Sequence, residues 1–403
     1  MPATMAGSRG GTIGRTASSE WPEFIKRLLD GEVLFEELYE RLLASTFPQN
    51  VTLVINNSCN LHCRHCYLQV KELTAPQLRE EEWKLLIDSI ASSGPELVCL
   101  SGKEIFLGDM GARLLSYLRE TKDREGAPCR FGLITNGTYV QKFRTVIARA
   151  QPSYFDISLD GIEGDHEAIR GKGTFAQTLP NIEWGAKALG SRFFVNLTLQ
   201  KQNYRRLVKA VEFLEQCGVQ NISCGFYRPL PYTDSRLALT DDDVEFVLET
   251  LSDLESIALQ HPLTVLLDLD VINLQPLKAF LGSRWFNFED IRQDRNGECF
   301  VEHWLGNGVR LEARLAPYPT GVWRSVRITP EGNYLAAEDT INTLHYRERA
   351  IGNVRDFEYD FPRLHRHALD SQRFREILLD YYQSDLPVLI AACREGSVAY
   401  SMA

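Results

Sequence analysis

The stretch VTLVINNSCNLHCRHCYLQV (residues 51–70) decides how this chain is read. It opens with VTLVI, a β-branched apolar run suited to a buried strand. It then sets Cys59, Cys63 and Cys66 close together, with Tyr67 directly after the third. Buried packing would not require thiols to cluster. A zinc site could add His62 or His65 as fourth ligand, but zinc modules usually draw their ligands from two separated pairs. A redox Cys-x-x-Cys would leave Cys59 without a role. Three thiolates on one short loop also suit a [4Fe-4S] cluster with one iron left open for a substrate or cosubstrate.

Outward from this loop a rhythm appears. ELVCLS (96–101), RFGLIT (130–135), YFDISL (154–159), RFFVNLTL (192–199) and NISCGFY (221–227) repeat the strand pattern. Helical stretches such as REEEWKLLIDSIASSG and YRRLVKAVEFLEQCG lie between them. Strands alternating with helices imply a parallel sheet with right-handed crossovers. Six such units predict an α/β fold, a partial (β/α)6 barrel of the TIM type, with chemistry at the rim where strands end. The cysteine loop, SGKE (101–104), TNG (135–137), SLDG (158–161) and FYRP (226–229) then share one rim.

Composition narrows the class. The chain has 403 residues, 44% of them apolar, and a formal charge of −10, which argues against a general nucleic-acid binder. No apolar run is long enough to span a bilayer. Nine cysteines, six of them scattered, do not form a disulfide framework, so a reducing cytoplasm is expected. Residues 1–19 read as a disordered tail, although Arg9 and Arg15 without acids leave a transit-peptide reading open. Residues 20–50 read as an N-terminal helical segment and 51–235 as the barrel. After about 240 the rhythm breaks, and 236–403 is expected to form a smaller α+β region.

The stretch CNLHCRHCY resembles the signature of the radical S-adenosylmethionine (SAM) superfamily. The resemblance covers about 51–230, because the other rim motifs match in order. It implies one [4Fe-4S] cluster on Cys59, Cys63 and Cys66, with SAM chelating the open iron. It also implies reductive cleavage of SAM to a 5′-deoxyadenosyl radical, and an electron donor of the flavodoxin or ferredoxin type. Gly102 and Glu104 match the family's Gly-Gly-Glu-Pro, whereas Lys103 and Ile105 depart from it. Glu104 would receive the methionyl ammonium, a charge-assisted contact; an ordinary Lys–Glu pair is the bland alternative. Ser158 and Arg170, in SLDGIEGDHEAIRG, resemble the pair that holds the methionyl carboxylate in peptide-modifying members. A turn plus a surface arginine is the alternative there. Tyr67 could serve the cofactor or pack the rim, and Asn136 could meet the SAM ribose or simply make a turn. His62, His65 and His166 read as supporting or solvated groups.

The back third resembles the SPASM or twitch regions of peptide maturases. VRITPEGNYLAAED (326–339) keeps Pro330, Glu331 and Gly332, but Ala336 and Ala337 stand where a cysteine is expected. Cys299 and Cys393 cannot supply four thiolates, so a SPASM-like region without its metal is expected. Glu338 or Asp339 would be unusual ligands.

The favoured function is a radical SAM enzyme acting on a ribosomally made precursor peptide by cross-linking, epimerisation or backbone excision. A separate recognition or accessory protein could assist it. The alternative is a tailoring enzyme for a sugar, aminoglycoside or nucleoside; a non-catalytic metal scaffold is a third reading. Catalytic candidates are Cys224 and Cys299 as hydrogen-atom donors, and Asp268 and Asp270 as substrate contacts. The bland reading is inert buried thiols and structural acids.

Overall fold

The structure is a computed structural model. It describes residues 21–43, 50–66, 76–229, 233–270, 274–293, 299–316, 325–335 and 350–401. The tail, Tyr67, Trp323, Ala336, Ala337, Glu338 and Asp339 lie outside the described residues.

Six parallel strands form the centre: β1 (Asn50–Val54), β2 (Leu97–Ser101), β3 (Phe131–Thr135), β4 (Tyr154–Ser158), β5 (Phe193–Leu199) and β6 (Asn221–Phe226). They hydrogen-bond in chain order, and each falls within a residue or so of its sequence-predicted run. Helices α3 (Glu80–Ser92), α4 (Met110–Glu120), α5 (Val140–Ala150), α6 (Glu163–Arg170), α7 (Thr174–Leu189) and α8 (Leu207–Gln216) connect them. Ahead of β1 stand α1 (Trp21–Leu29) and α2 (Phe35–Leu43). The barrel with a C-terminal region beyond it is therefore present.

The strict alternation of β5 shows how the sheet divides its faces. Phe193, Val195, Leu197 and Leu199 are buried in the apolar core, while the residues between them are half-buried. Leu53, Leu100, Leu133 and Ile157 belong to the same core and are each fully buried. A leucine or isoleucine taken this far from water contributes about 1.5–3 kcal/mol, so the helix-facing side fixes the strand register. The opposite face carries Thr52, Cys99, Asp156, Asn196, Ser223 and Asp268. It lines a polar lumen rather than an apolar barrel core.

The sheet does not stop where the sequence rhythm breaks. β7 (Thr264–Asp270) continues it parallel to β6, and β10 (Arg310–Ala316) continues it parallel to β7. Antiparallel β9 (Cys299–Trp304) and the short β8 (Arg292–Gln293) finish that edge. On the other edge β11 (Ser325–Ile328) pairs parallel with β1, followed by β12 (Asn333–Leu335) and β13 (Gly352–Asn353). The region after 240 thus extends both edges of one sheet. Helices α9 (Asp241–Thr250) and α10 (Leu274–Leu281) belong to this part of the chain, which ends in α11 (Phe361–Leu369), α12 (Gln372–Ser384) and α13 (Leu386–Ser401). The three acids opening α9 make the expected N-terminus, with Thr240 and Asp243 forming a capping box. Among the described residues no helix is long and apolar enough to cross a membrane.

Candidate functional site

The cysteine loop leaves β1 and is clasped at once to the loop after β2. Asn56 Nδ2 donates to the Glu104 carbonyl at 2.7 Å, and the Glu104 amide donates to the Ser58 carbonyl at 3.0 Å. A Cβ on Gly102 would come within 2.8 Å of Asn56 Oδ1, so the close approach of the two loops requires glycine there. Glu104 is almost fully buried, at 1% exposure. Its Oε1 accepts from the Phe106 amide (2.9 Å) and Thr135 Oγ1 (2.7 Å), and its Oε2 from the Asn136 amide (2.8 Å). Burial raises this carboxyl, against the pull of those donors and of Arg170. A carboxylate can accept about four hydrogen bonds, so three donors leave room for another.

Asn136 faces the thiols. Its Nδ2 lies 3.7 Å from Cys59 Sγ and 3.0 Å from Asn60 Oδ1, and its Oδ1 accepts from the Thr138 amide and hydroxyl. All four polar functions of this side chain and its own amide are thereby engaged with the rim itself. Cys59 Sγ also accepts from the Leu61 amide at 3.3 Å. Cys59, Cys63 and Cys66 are half-buried and in no disulfide. Burial raises the Cys59 thiol and pushes Cys63 up to about 12; Cys66, Asp160 and Cys59 add to the effect on Cys63, while Arg170 opposes it.

The donor set fits an iron–sulfur cluster. Three thiols on one loop feel one another's charge, and Arg170 supplies a compensating positive charge. Among the described residues no group of three His, Cys, Asp or Glu side chains converges on a point that could hold a single metal ion. Three thiols on one loop suit a cube with one iron left open, whereas a closed zinc cage would take a fourth protein ligand. Raised Cys59 and Cys63 thiols are the expected state without metal, because metal binding must release their protons.

Beside the thiols lies an ion pair with only its arginine foreseen from the sequence. Asp160 is fully buried; its Oδ2 accepts from Arg170 Nε at 2.6 Å and its Oδ1 from the Thr198 amide at 3.0 Å. Burial alone would raise the carboxyl, but Arg170, His65 and the Thr198 amide outweigh it and hold it down at about 2. His65 Nδ1 stands 3.8 Å from Asp160 Oδ2 without a hydrogen-bond partner, and His166 Nδ1 accepts from the Asp160 amide at 3.2 Å. Burial lowers both imidazoles to about 4, so both are neutral near pH 7. The Arg64 amide donates to the Ile169 carbonyl at 3.0 Å, tying the end of α6 to the cysteine loop. Asp160 was legible as the acid of SLDG, but its partner ten residues on became visible only when α6 folded back. Ser158, half-buried, ends β4 at the same rim, paired in register with Asn196.

The other candidates are dispersed. Cys224 pairs in register with Leu197 and Leu267, is 0% exposed and sits in the apolar core, with burial pushing its thiol up to about 12. The strand's alternation points it at the helices, away from the lumen. Cys299 is not in a loop but opens β9, and it is also buried. Asp268 is exposed on the lumen face of β7, opposite Arg314 in register. Asp270 ends that strand.

Residues 53–214 match the model of the Radical SAM superfamily. This segment is a radical SAM domain. Fe-coproporphyrin III synthase of Methanosarcina barkeri (strain Fusaro / DSM 804) is 31% identical over 189 residues, covering 46% of this chain and 45% of that protein. The antilisterial bacteriocin subtilosin biosynthesis protein AlbA of Bacillus subtilis (strain 168) is 29% identical over 140 residues, covering 34% and 30%. The chain spans less than half the length of these two curated relatives. Streptococcus suis SuiB, solved bound to precursor peptide SuiA, matches with a TM-score of 0.59 at 15% identity, covering 85% of this chain and 71% of SuiB. At that identity the likeness shows the fold alone, and it extends well beyond the radical SAM domain. The superfamily implies a [4Fe-4S] cluster and SAM as cofactors.

Proposed function

We propose that this chain is a radical SAM enzyme that modifies a ribosomally synthesised precursor peptide. The observation that carries the first half is the meeting of three thiols, Glu104 and the Asp160–Arg170 pair at the ends of parallel strands. Cys59, Cys63 and Cys66 would hold one [4Fe-4S] cluster. Glu104, with an acceptor position to spare, would take the methionyl ammonium of SAM. Asp160 uses one of the five N–H donors of Arg170, leaving others for the methionyl carboxylate beside Ser158. Gly102 lets the two loops close, and Asn136 orients Cys59 and Asn60. When bound, cluster and SAM together supply reductive cleavage of SAM and hydrogen-atom abstraction. The electron would come from a flavodoxin- or ferredoxin-type donor. We take residues 51–235 as the catalytic unit and 236–403 as a metal-free SPASM-like region that walls it.

The peptide substrate is favoured by the open, curled sheet and by relatives such as AlbA. The synthases of haem-type tetrapyrroles among the relatives suggest a second reading, since two of those matches cover 46% and 50% of the chain against 34% for AlbA. Against it stand Asp156 and Asp268 on the lumen face, which would repel the carboxylates that such macrocycles carry.

The test is anaerobic reconstitution followed by iron and sulfide counting. Close to one four-iron cluster is expected in the wild type and none in Cys59→Ala, Cys63→Ala or Cys66→Ala. Stoichiometric zinc without iron would overturn the reading. Glu104→Gln and Ser158→Ala should keep the cluster spectrum and weaken SAM binding roughly ten- to hundred-fold. Reduced enzyme, SAM and a precursor peptide encoded nearby should give 5′-deoxyadenosine and a peptide of altered mass. Turnover of a tetrapyrrole or sugar instead would replace the peptide half.

A further inference from the structure

The lumen below the cofactor rim contains an acid that none of these roles uses. Asp156 lies on β4 between Phe155 and Ile157, whose side chains are in the apolar core, so its own points the other way, into the lumen. It shares that face with Ser158 and sits roughly 6–7 Å deeper, two strand residues back. Tyr154 OH donates to Asp156 Oδ2 at 2.8 Å. Oδ1 is buried and has no hydrogen-bond partner, on a side chain only 2% exposed. A native protein seldom leaves a buried carboxylate oxygen without a donor unless something outside the chain supplies one.

The neighbours say what that donor should be. Burial, helped by Asp268, raises the Asp156 carboxyl to about 7 against the pull of Tyr154, Arg170 and the Asn196 backbone. Arg170, the cation that draws the carboxyl down, already donates to Asp160, and Arg314, opposite Asp268 in register, donates from Nε to Glu312 Oε1 at 3.0 Å. The Tyr154 ring, held 4.8 Å from that of Phe194, fixes the angle of the anchored oxygen.

Resting on the peptide reading above, we infer that Asp156, oriented by Tyr154, is the substrate anchor of the lumen and takes a cationic nitrogen of the substrate on Oδ1. The group is an ammonium or guanidinium, such as a lysine or arginine side chain held beside the residue that loses its hydrogen. A polyamine would offer the same chemistry from a small molecule. The anchor selects substrates by charge and sets which atom reaches the rim.

The experiment uses the reconstituted holoenzyme with SAM. Equilibrium binding is measured for Gly/Ser hexapeptides carrying one lysine, arginine or norleucine, and for spermidine. The wild type should prefer the lysine or arginine peptides over norleucine by roughly ten- to hundred-fold. Asp156→Asn should lose that preference while keeping the cluster absorbance and SAM affinity. Difference infrared spectra on the wild type give a second readout, independent of whether the variant folds. Below pH 7, adding the cationic probe should remove a protonated-carboxyl band. Asp156-dependent binding of spermidine without binding of any peptide would support the anchor and reject the peptide substrate. Peptide binding that ignores charge, or a preference unchanged in Asp156→Asn, would overturn the anchor and leave the peptide reading standing. An unchanged infrared band on probe binding would also overturn it.

Discussion

The cysteine loop after β1 and the Pro330–Gly332 turn between β11 and β12 are both tight connections at strand ends, but they treat their polar groups in opposite ways. Around the cysteine loop, Asn56 Oδ1, His65 Nδ1 and His166 Nε2 are buried without partners, and three thiols stand unbonded to one another. At the turn almost everything is spoken for. Gly332, at φ +89°, lets its amide donate to the Thr329 carbonyl at 2.9 Å. Asn353 Nδ2 donates to the Glu331 carbonyl and to Asn333 Oδ1, Arg355 Nη1 donates to the Glu331 carbonyl, and the Leu78 amide donates to the Pro330 carbonyl. Arg355 also reaches Glu82 on α3 at 2.9 Å, and Tyr359 OH donates to the same carboxylate at 2.6 Å. Among the described residues the turn meets its polar groups with protein atoms. The rim leaves three buried side-chain atoms unmet.

That contrast can be broken most decisively by removing a thiol. Cys63→Ala should abolish iron binding altogether, whereas Arg355→Met at the turn should leave the iron count unchanged. Iron loss in both variants would mean that the turn serves the cluster and the two regions are not independent.

The next largest effect concerns stability. Asp160→Ala would leave Arg170 buried without its partner, a loss of about 3–5 kcal/mol measured by urea unfolding at pH 7. The Asp160 carboxyl is held at about 2, below its ordinary 3.8. Its contribution is therefore full above pH 3.8 and disappears as pH falls through about 2. The gap between variant and wild type should narrow in acid; a gap constant with pH would assign the loss to packing instead.

Arg355→Met should cost less, about 1–3 kcal/mol, because Glu82 keeps Tyr359 and Arg79 as partners. SAM affinity should be untouched. The smallest effect is at His365, whose Nδ1 meets Tyr334 OH at 2.7 Å and which burial lowers to about 4 from an ordinary 6.5. The unfolded chain takes up a proton there that the folded chain refuses, so stability should fall as pH drops from 6.5 towards 4. His365→Gln should make that slope shallower in thermal melts. An unchanged slope would place the acid sensitivity on other histidines.

The sequence by itself determined the six-strand order and the position of the cysteine loop on the rim. These are local signals: β-branched alternation, helical spacing and a short motif survive without knowledge of distant contacts. It also showed that the Pro-Glu-Gly turn lacks the neighbouring cysteine of its look-alikes. Only the tertiary structure decided which face each strand residue takes. Cys224 went to the helix side because Leu197 and Leu267 flank it in register, while Asp156 went to the lumen because Phe155 and Ile157 claim the core. Only the fold joined Asp160 to Arg170, Glu104 to Thr135 and Arg355 to Glu82, the last pair 273 residues apart. Each of those contacts depends on two separate elements arriving at one point, which packing fixes and local sequence pattern does not encode.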